Sequence, residues 1–354
     1  MVKLSLEELG IIYKRIEESL VAYANFRGEI SDIEPKIEIF YERIKEHISG
    51  PPIAVIDYGV YSEGGKDIDL CFPIKHKREF EGVKTKYLER IEVLSIMHHG
   101  THDTLNETFK IITNYVQEHL ILGTAWLRLI YHEYNQENPE DNQIEIQYNL
   151  HRWENRLERS LETFLNGDLK NKIMKDREKL FTIKSSRDDR IIWLNQTLNR
   201  LDRYTNEDEK FKIMSCCAHE FSKKRIDYMR NIYERTGDID EVIKEMQKDY
   251  AWYENPVRER NIIHVTKIPV NPDGYQKAQT IEEKKRNYCH CRYINENLDK
   301  GISPTFCYCG TGWYRQLWEG ILRISIKVAI LKSLLKGDNE CEVAIYLPEE
   351  LNLT

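Results

Sequence analysis

The sequence predicts an α+β protein of two domains: a tandem β-α-β-β half, then a mainly helical half that ends in a cysteine-rich α/β hairpin unit. Three observations predict it. At 354 residues the chain exceeds one ordinary core, so two domains of about 150 to 200 residues are expected. A strand, helix, strands succession occurs twice before residue 150. From His151 the texture turns charged and helical. The expected domains are therefore 1–150 and 151–354.

Composition narrows the classes. With 41% hydrophobic and 31% charged residues, each half can bury a core. A net charge of −7 leaves no basic footprint for nucleic acid. No apolar run approaches the roughly 18 residues of a membrane span, and MVKLSLEELG lacks the apolar core of a signal peptide. A cytoplasmic protein with neither nucleic-acid nor membrane partners is expected. Its eight cysteines are then thiols, metal ligands or catalytic groups rather than disulfides. No Walker or dinucleotide fingerprint is present, so no nucleotide cofactor is expected.

In the first half, residues from Ser5 to Asn25 mix helical and extended signals, with a strand from Leu20 to Phe26 ended by Gly28. Ile37, Phe40, Tyr41, Ile44 and Ile48 mark a helical stripe, stopped by Gly50-Pro51-Pro52. PIAVIDYG and DIDLCFPI read as a hairpin around Glu63-Gly64-Gly65. Asp67 and Asp69 share a face there, which reads as a solvated strand face ahead of an acid–base or metal pair. A strand from Ile91 to Met97, the loop HHGTH and a helix from Thr104 to His119 follow. The loop reading makes His98, His99 and His102 surface or capping groups rather than ligands. TAWLRLIYHEY and NQIEIQYNL close the half as strands.

VAYANFRGEI, a helix, GPPIAVIDY with DIDLCFPI, then IMHHGTHDTLNETFKIITNYVQEH, LRLIYHEY and IEIQYNL together resemble the GyrI-like effector-binding domain. That domain is SOUL-like and accompanies MerR- and AraC-type regulators; the match covers residues 11 to 150. The resemblance implies a cleft at a pseudo-twofold axis that takes amphipathic, often cationic small molecules between aromatic walls and a carboxylate. Tyr58, Phe72, Trp126 and Tyr131 are the walls it implies. The family's Glu-Ile-Tyr triplet is Leu129-Ile130-Tyr131 here, so the Glu is replaced. Glu133, two residues beyond Tyr131, would share its face in a regular strand and is the substitute expected. Residues 1 to 10 leave no room for a helix-turn-helix, so this half is not expected to read DNA.

The second half opens with helical stripes at Trp153, Leu157, Leu161 and Phe164, and at Ile191, Leu194, Leu198 and Leu201. Another helix runs from Thr205 to Met214, and Asp238 with Glu241 predicts a capping box for DEVIKEM. MSCCAHEF follows the Met214 helix; Cys216 and Cys217 point apart, and His219 could join one of them. NIIHVTKIPV reads as a strand, NPDG as a turn, and Thr280 with Glu283 as a capped helix start.

Cys289-His290-Cys291 and Cys307-Tyr308-Cys309 come next. Read as extended, each pair presents two thiols to one side, and four thiolates would suit zinc. The spacing of one intervening residue is shorter than usual zinc motifs. Gly310-Thr311-Gly312 leads into WYRQLWEGIL, with Thr311 as cap, and a helix start there would favour anions and activate Cys309 as a nucleophile. His290 or His219 would then give acid–base help. Buried, inert thiols beneath an aromatic helix remain the third reading.

The end is a hairpin, with Ile324, Ile326, Val328 and Ile330 alternating, GDN turning, and Cys341, Val343 and Ile345 alternating again. Residues 305 to 348 resemble vinyl-reductase-like (hydrocarbon-binding) and aminothiazoline-carboxylate hydrolase-like domains, with only Cys341 matching a family cysteine. The expected function is small-molecule sensing without a DNA-binding domain, the ligand being amphipathic or aromatic. A thiol- or metal-assisted hydrolase and an interaction protein with inert cysteines are the alternatives.

Overall fold

The computed structural model describes residues 4–62, 65–135 and 137–349, and only the backbone of 58–62 and 250–251. The chain divides into two compact units, Met1–His151 and Arg152–Thr354, and the fold is α+β.

The first unit runs β1 (Ile12–Ile16), β2 (Ser19–Gly28), α1 (Ile33–Ile44), β3 (Ile53–Ser62), β4 (Gly65–Pro73), β5 (Lys84–Leu88), β6 (Ile91–His99), α2 (Leu105–Glu118), β7 (Gly123–Glu133) and β8 (Gln143–Leu150). Its strands form one sheet, ordered β1-β6-β8-β7-β3-β4-β2-β5, that curls into a half-barrel. The two β-α-β-β repeats, β2-α1-β3-β4 and β6-α2-β7-β8, meet where β3 pairs with β7. Each repeat receives an edge strand from outside itself: β1 pairs with β6 and β5 with β2. These two edges carry no regular apolar alternation because half of each lies in solvent. The Glu63-Gly64 part of the expected β3–β4 turn lies outside the described residues.

Helix α1 buries Ile33, Ile37, Phe40 and Ile44, and α2 buries Leu105, Ile112, Tyr115 and Val116. Each such side chain withdrawn from water stabilises the unit by about 1.5–3 kcal/mol. The packed stripe is narrower than the sequence suggests, since Tyr41 is exposed.

The second unit begins with α3 (Trp153–Phe164), α4 (Gly167–Ile173), α5 (Arg177–Leu180), α6 (Arg187–Tyr204), α7 (Glu207–Ser215), α8 (Lys223–Thr236), α9 (Ile239–Gln247) and α10 (Tyr250–Tyr253). Strands β9 (Val257–Glu259) and β10 (Ile262–Thr266) follow, then α11 (Pro272–Lys277), α12 (Ile281–Tyr288), α13 (Arg292–Asn295), α14 (Tyr308–Leu322), β11 (Lys327–Lys332) and β12 (Glu342–Tyr346). The four strands form an antiparallel sheet ordered β11-β12-β10-β9. The terminal β11–β12 hairpin is its core, joined by β10.

Local chemistry explains most of these boundaries. Thr280 and Glu283 form the capping box that starts α12, and Asn206 with Glu209 does the same for α7. Asp238 caps α9 by accepting from Asp240 N, without the reciprocal bond from Glu241 that a box needs. NPDG is not a turn: Asn271 accepts from Gly274 N, and Pro272 opens α11, where a proline's missing N–H costs nothing. Gly310, Thr311 and Gly312 are likewise inside α14, not ahead of it. A Cβ on Gly312 would lie 1.9 Å from Ser215 O. The glycine therefore lets α14 cross α7 at backbone contact. Trp318 is buried in the core, with Tyr314, Leu317 and Ile321.

Candidate functional site

Partners directly opposite across strands share a face. One face of the first sheet packs on the helices: the Phe72 ring meets Phe40 of α1 at 5.3 Å, and His98 Nδ1 lies 2.9 Å from Thr108 Oγ1 of α2. On the concave face, Val55 stands opposite Asp69 and Arg128, and Asp57 opposite Asp67 and Trp126. Arg128 in turn faces Gln147, and Gln147 faces Ser95.

This second face has an apolar floor of Val21, Ile53, Val55, Cys71 and Leu88, with half-buried Tyr23, Trp126 and Ile130 packed on it. Burial pushes the Cys71 thiol up to about 12. Charged groups ring the floor. Asp57 is 2% exposed, Asp67 6%, Asp69 7%, Arg128 7% and Glu145 4%, so the expected solvated face for Asp67 and Asp69 is wrong. Asn25 Nδ2 donates to Asp67 Oδ1 and Asp69 Oδ1, both at 2.6 Å. Lys86 pairs with Asp69 and sits 4.4 Å from the centre of the Tyr23 ring. Isolated burial of these charges would cost several kcal/mol each; pairing offsets it.

Glu145 on β8 is the best-supported polar group. It accepts from Ser95 Oγ at 2.6 Å, Gln147 Nε2 at 2.9 Å and Lys14 Nζ at 2.9 Å, and His132 Nε2 lies 2.9 Å from its other oxygen. Burial alone would raise its pKa. The bonds from Ser95, Lys14, Gln147 and His132 outweigh that and bring it down to about 2. Lys14 reaches in from the edge strand β1 and is 35% exposed.

The wall residues implied by the family resemblance do not stand together. Trp126 is on the concave face, whereas Phe72 and Tyr131 lie in the core on the helix side. Tyr58 is on β3, with its side chain outside the described residues. A β-bulge between Tyr131 and Glu133 breaks the alternation. Glu133 then stands opposite Gln143, whose Nε2 donates to it at 2.9 Å, and it is exposed. Gln143 alternates onto the same side of β8 as Glu145, so the bulge turns Glu133 away from the Tyr131 side toward the Glu145 side. Glu145 itself was not among the residues the sequence pointed to. The signal available was an acidic residue inside the apolar alternation of IEIQYNL.

Tyr131 belongs to a separate buried chain. Its hydroxyl donates to His102 Nε2 at 3.1 Å, and His102 Nδ1 lies 3.3 Å from Glu34 Oε1. One neutral tautomer satisfies both bonds. Burial, helped by nearby His98, holds His102 down at about 4, and burial raises Tyr131 well above the ordinary phenol. His98 is buried as well, with Nε2 2.9 Å from Thr101 O. These histidines tie the β6–α2 connection together instead of decorating a surface loop; His99 is exposed.

In the second unit Cys289 and Cys291 have extended backbone between two helices, outside any strand, whereas Cys307 and Cys309 are helical, not extended. Cys289 ends α12, Cys291 opens α13, Cys307 closes the 3-10 turn Pro304–Cys307, and Cys309 lies in the first turn of α14. Among the described residues no three His, Cys, Asp or Glu side chains come together as a metal site. Desolvation pushes the Cys309 thiol up to about 12, the opposite of nucleophile activation. His290 Nε2 lies 2.6 Å from Ile268 O, and His219 is exposed just beyond α7.

A partly buried ion pair follows β10. Lys267 Nζ is 3.2 Å from Glu254 Oε1, and the Tyr314 hydroxyl donates to Glu254 Oε2. Burial would lower Lys267, but Glu254 and Tyr314 more than offset this and raise it above its ordinary value. Glu254 and Asn255 hold left-handed backbone, at φ 55° and 51°, a conformation that non-glycine residues seldom adopt.

No helix among the described residues is long and apolar enough to cross a membrane. No curated protein matches the chain. A family described only as of unknown function, DUF6144, matches residues 275–352. Among solved structures, the chain is similar to the EcmrR C-terminal domain, at 17% identity over 40% of this chain and 96% of that one, with a TM-score of 0.34. SAV2435 bound to tetraphenylphosphonium is similar at 8% identity, over 41% and 96% of the two chains, with a TM-score of 0.32. A hydrolase from Listeria innocua is similar at 12% identity, over 38% and 90%, with a TM-score of 0.28.

Proposed function

We propose that the first unit binds a small amphipathic aromatic molecule, neutral or cationic, on the concave face of its sheet. One observation carries this reading: an apolar floor bearing half-buried Tyr23 and Trp126, ringed by buried charges on the same face. A mostly apolar surface with a few convergent polar groups is the usual make-up of a small-molecule site. Tyr23 and Trp126 are suited to cover a ring or a cation by their π faces. Glu145 is the anchor for positive charge, because Lys14 enters from an edge strand and a ligand cation could take its place. The acids named on this face are Asp57, Asp67, Asp69 and Glu145, against Lys14, Lys86 and Arg128, a balance that disfavours an anionic ligand.

The test is thermal unfolding of the full chain with tetraphenylphosphonium and with a neutral aromatic of similar size. Stabilisation by either probe is expected, lost in the Tyr23→Ala/Trp126→Ala double variant; Glu145→Gln should weaken the cation's effect more than the neutral compound's. An absence of stabilisation by both, or an unchanged effect in the double variant, would reject the assignment.

A further inference from the structure

Glu145 is held by donors of two kinds. Ser95 Oγ at 2.6 Å, Gln147 Nε2 at 2.9 Å and His132 Nε2 at 2.9 Å reach it from its own strand or from the strands on either side. The sheet fixes where these side chains start. Lys14 Nζ, 2.9 Å from Oε1, arrives from farther off, since β1 pairs with β6 and not with β8. Its long side chain is 35% exposed, against 5% for that of Glu145. If Lys14 withdraws, three donors still hold the carboxylate in place.

A second observation is the apolar surface around that contact. Glu145 has Ile130 directly opposite on β7 and Met97 directly opposite on β6, so all three share the concave face. Ile130 packs on the apolar floor, whereas Met97 is 37% exposed. On β1, Ile12 stands opposite Ser95, on the same face as Lys14 two residues on, and is 56% exposed. An apolar strip therefore runs from the floor past the carboxylate toward the sheet edge, and its outer part is open to water. The chemical match to a buried carboxylate bordered by uncovered apolar groups is an alkylammonium. Lys14 is one, supplied by the chain itself.

We propose that Lys14 is a tethered competitor for this position: the ligand is an arylalkyl primary amine, and its ammonium and that of Lys14 occupy Glu145 in turn. This rests on the small-molecule reading of the concave face and adds to it the ligand's class and a restraint on its binding. A primary ammonium carries the same three N–H donors as lysine, so it remakes the hydrogen bond that it displaces; a quaternary or phosphonium cation has no N–H to do so. Its apolar body covers Met97, Ile12 and the Ile130 end of the floor. The released Lys14 ammonium passes into water, toward which its side chain is already open. No strand has to leave, because the chain ahead of β1 stays anchored by buried Leu6 and Ile11. The ligand's apparent affinity is lowered by the fraction of chains in which Lys14 holds the site.

The test is calorimetric titration of the full chain with naphthylethylamine, charged at neutral pH, and with naphthylethanol, its uncharged counterpart. Lys14→Met should lower the amine's Kd by roughly three- to tenfold and leave the alcohol's unchanged. Arg15→Gln removes the same charge from the opposite face of β1 and should change the amine's Kd by less than about twofold. In an isotope-edited NMR spectrum of the lysine side chains, Lys14 is the resonance missing from the Lys14→Met chain. That resonance should move to the position of an exposed lysine as the amine saturates the wild type. An unmoved Lys14 resonance, or equal effects of Lys14→Met and Arg15→Gln on the amine, would overturn the proposal. Binding of the alcohol without the amine would overturn it too, while leaving the small-molecule reading intact. Binding of neither compound, to the wild type or to Lys14→Met, would reject that reading and the proposal with it.

Discussion

The concave face of the first sheet and the cysteine region of the second unit both bury titratable groups, with opposite results. Glu145 is held at about 2 because four donors converge on one carboxylate. Cys289 and Cys309 are pushed up to about 12, because desolvation there meets too little opposing charge. Burial alone therefore does not set a group's charge; the number of partners that arrive with it does. The first region is a finished network. In the second the sulfurs are buried without comparable partners and stay neutral thiols.

The largest expected effect breaks the finished network. Glu145→Ala strands Ser95, Gln147, Lys14 and His132 around an empty position, and should cost about 3–5 kcal/mol in chemical unfolding. A loss below about 1 kcal/mol would mean the network is ornamental. In the second unit, order rests on backbone approach instead of charge. Gly312→Ala should cost about 3 kcal/mol through its clash with Ser215 O, with no change in the pH dependence of stability.

A smaller, sharper test separates two titrations. His102 is lowered in the folded chain from 6.5 to about 4. Below 6.5 the unfolded chain takes a proton that the folded one refuses, so the stability His102 contributes is complete above pH 6.5 and is lost as pH falls toward 4. Glu145 is depressed from 4.5 to about 2, so its contribution is present above pH 4.5 and is lost between 4.5 and 2. Acid unfolding should therefore proceed in two windows. His102→Asn should remove the upper one, worth about 2 kcal/mol, and leave the lower intact; an unchanged profile above pH 4.5 would show that His102 is not held neutral.

Much of the architecture was legible from local chemistry. The repeated strand, helix, strands order, the α12 capping box and the alternating terminal hairpin each depend on neighbours a few residues apart, which the sequence displays directly. The edge strands β1 and β5 were not, because an edge in solvent needs no alternation. The side that Glu133 takes was not legible either. One extra residue at the β7 bulge reverses which side Glu133 faces, and nothing in LIYHEY announces it. The GTG segment looked like a helix start because Thr311 read as a cap, whereas Gly312 is needed for a helix crossing.

By itself the sequence determined the periodicities, the caps and the α+β class, since these follow from side chains acting on their own backbone. It also held eight cysteines and an acidic residue in an apolar strand without saying what either was for. Only the tertiary structure decided that Asp67, Asp69 and Glu145 are buried with partners, that Tyr131 belongs to a helix-side chain with His102, and that Gly312 meets the backbone of α7. Those outcomes depend on registers and crossings between residues tens to more than a hundred positions apart. Burial and pairing are properties of such meetings, not of any residue alone.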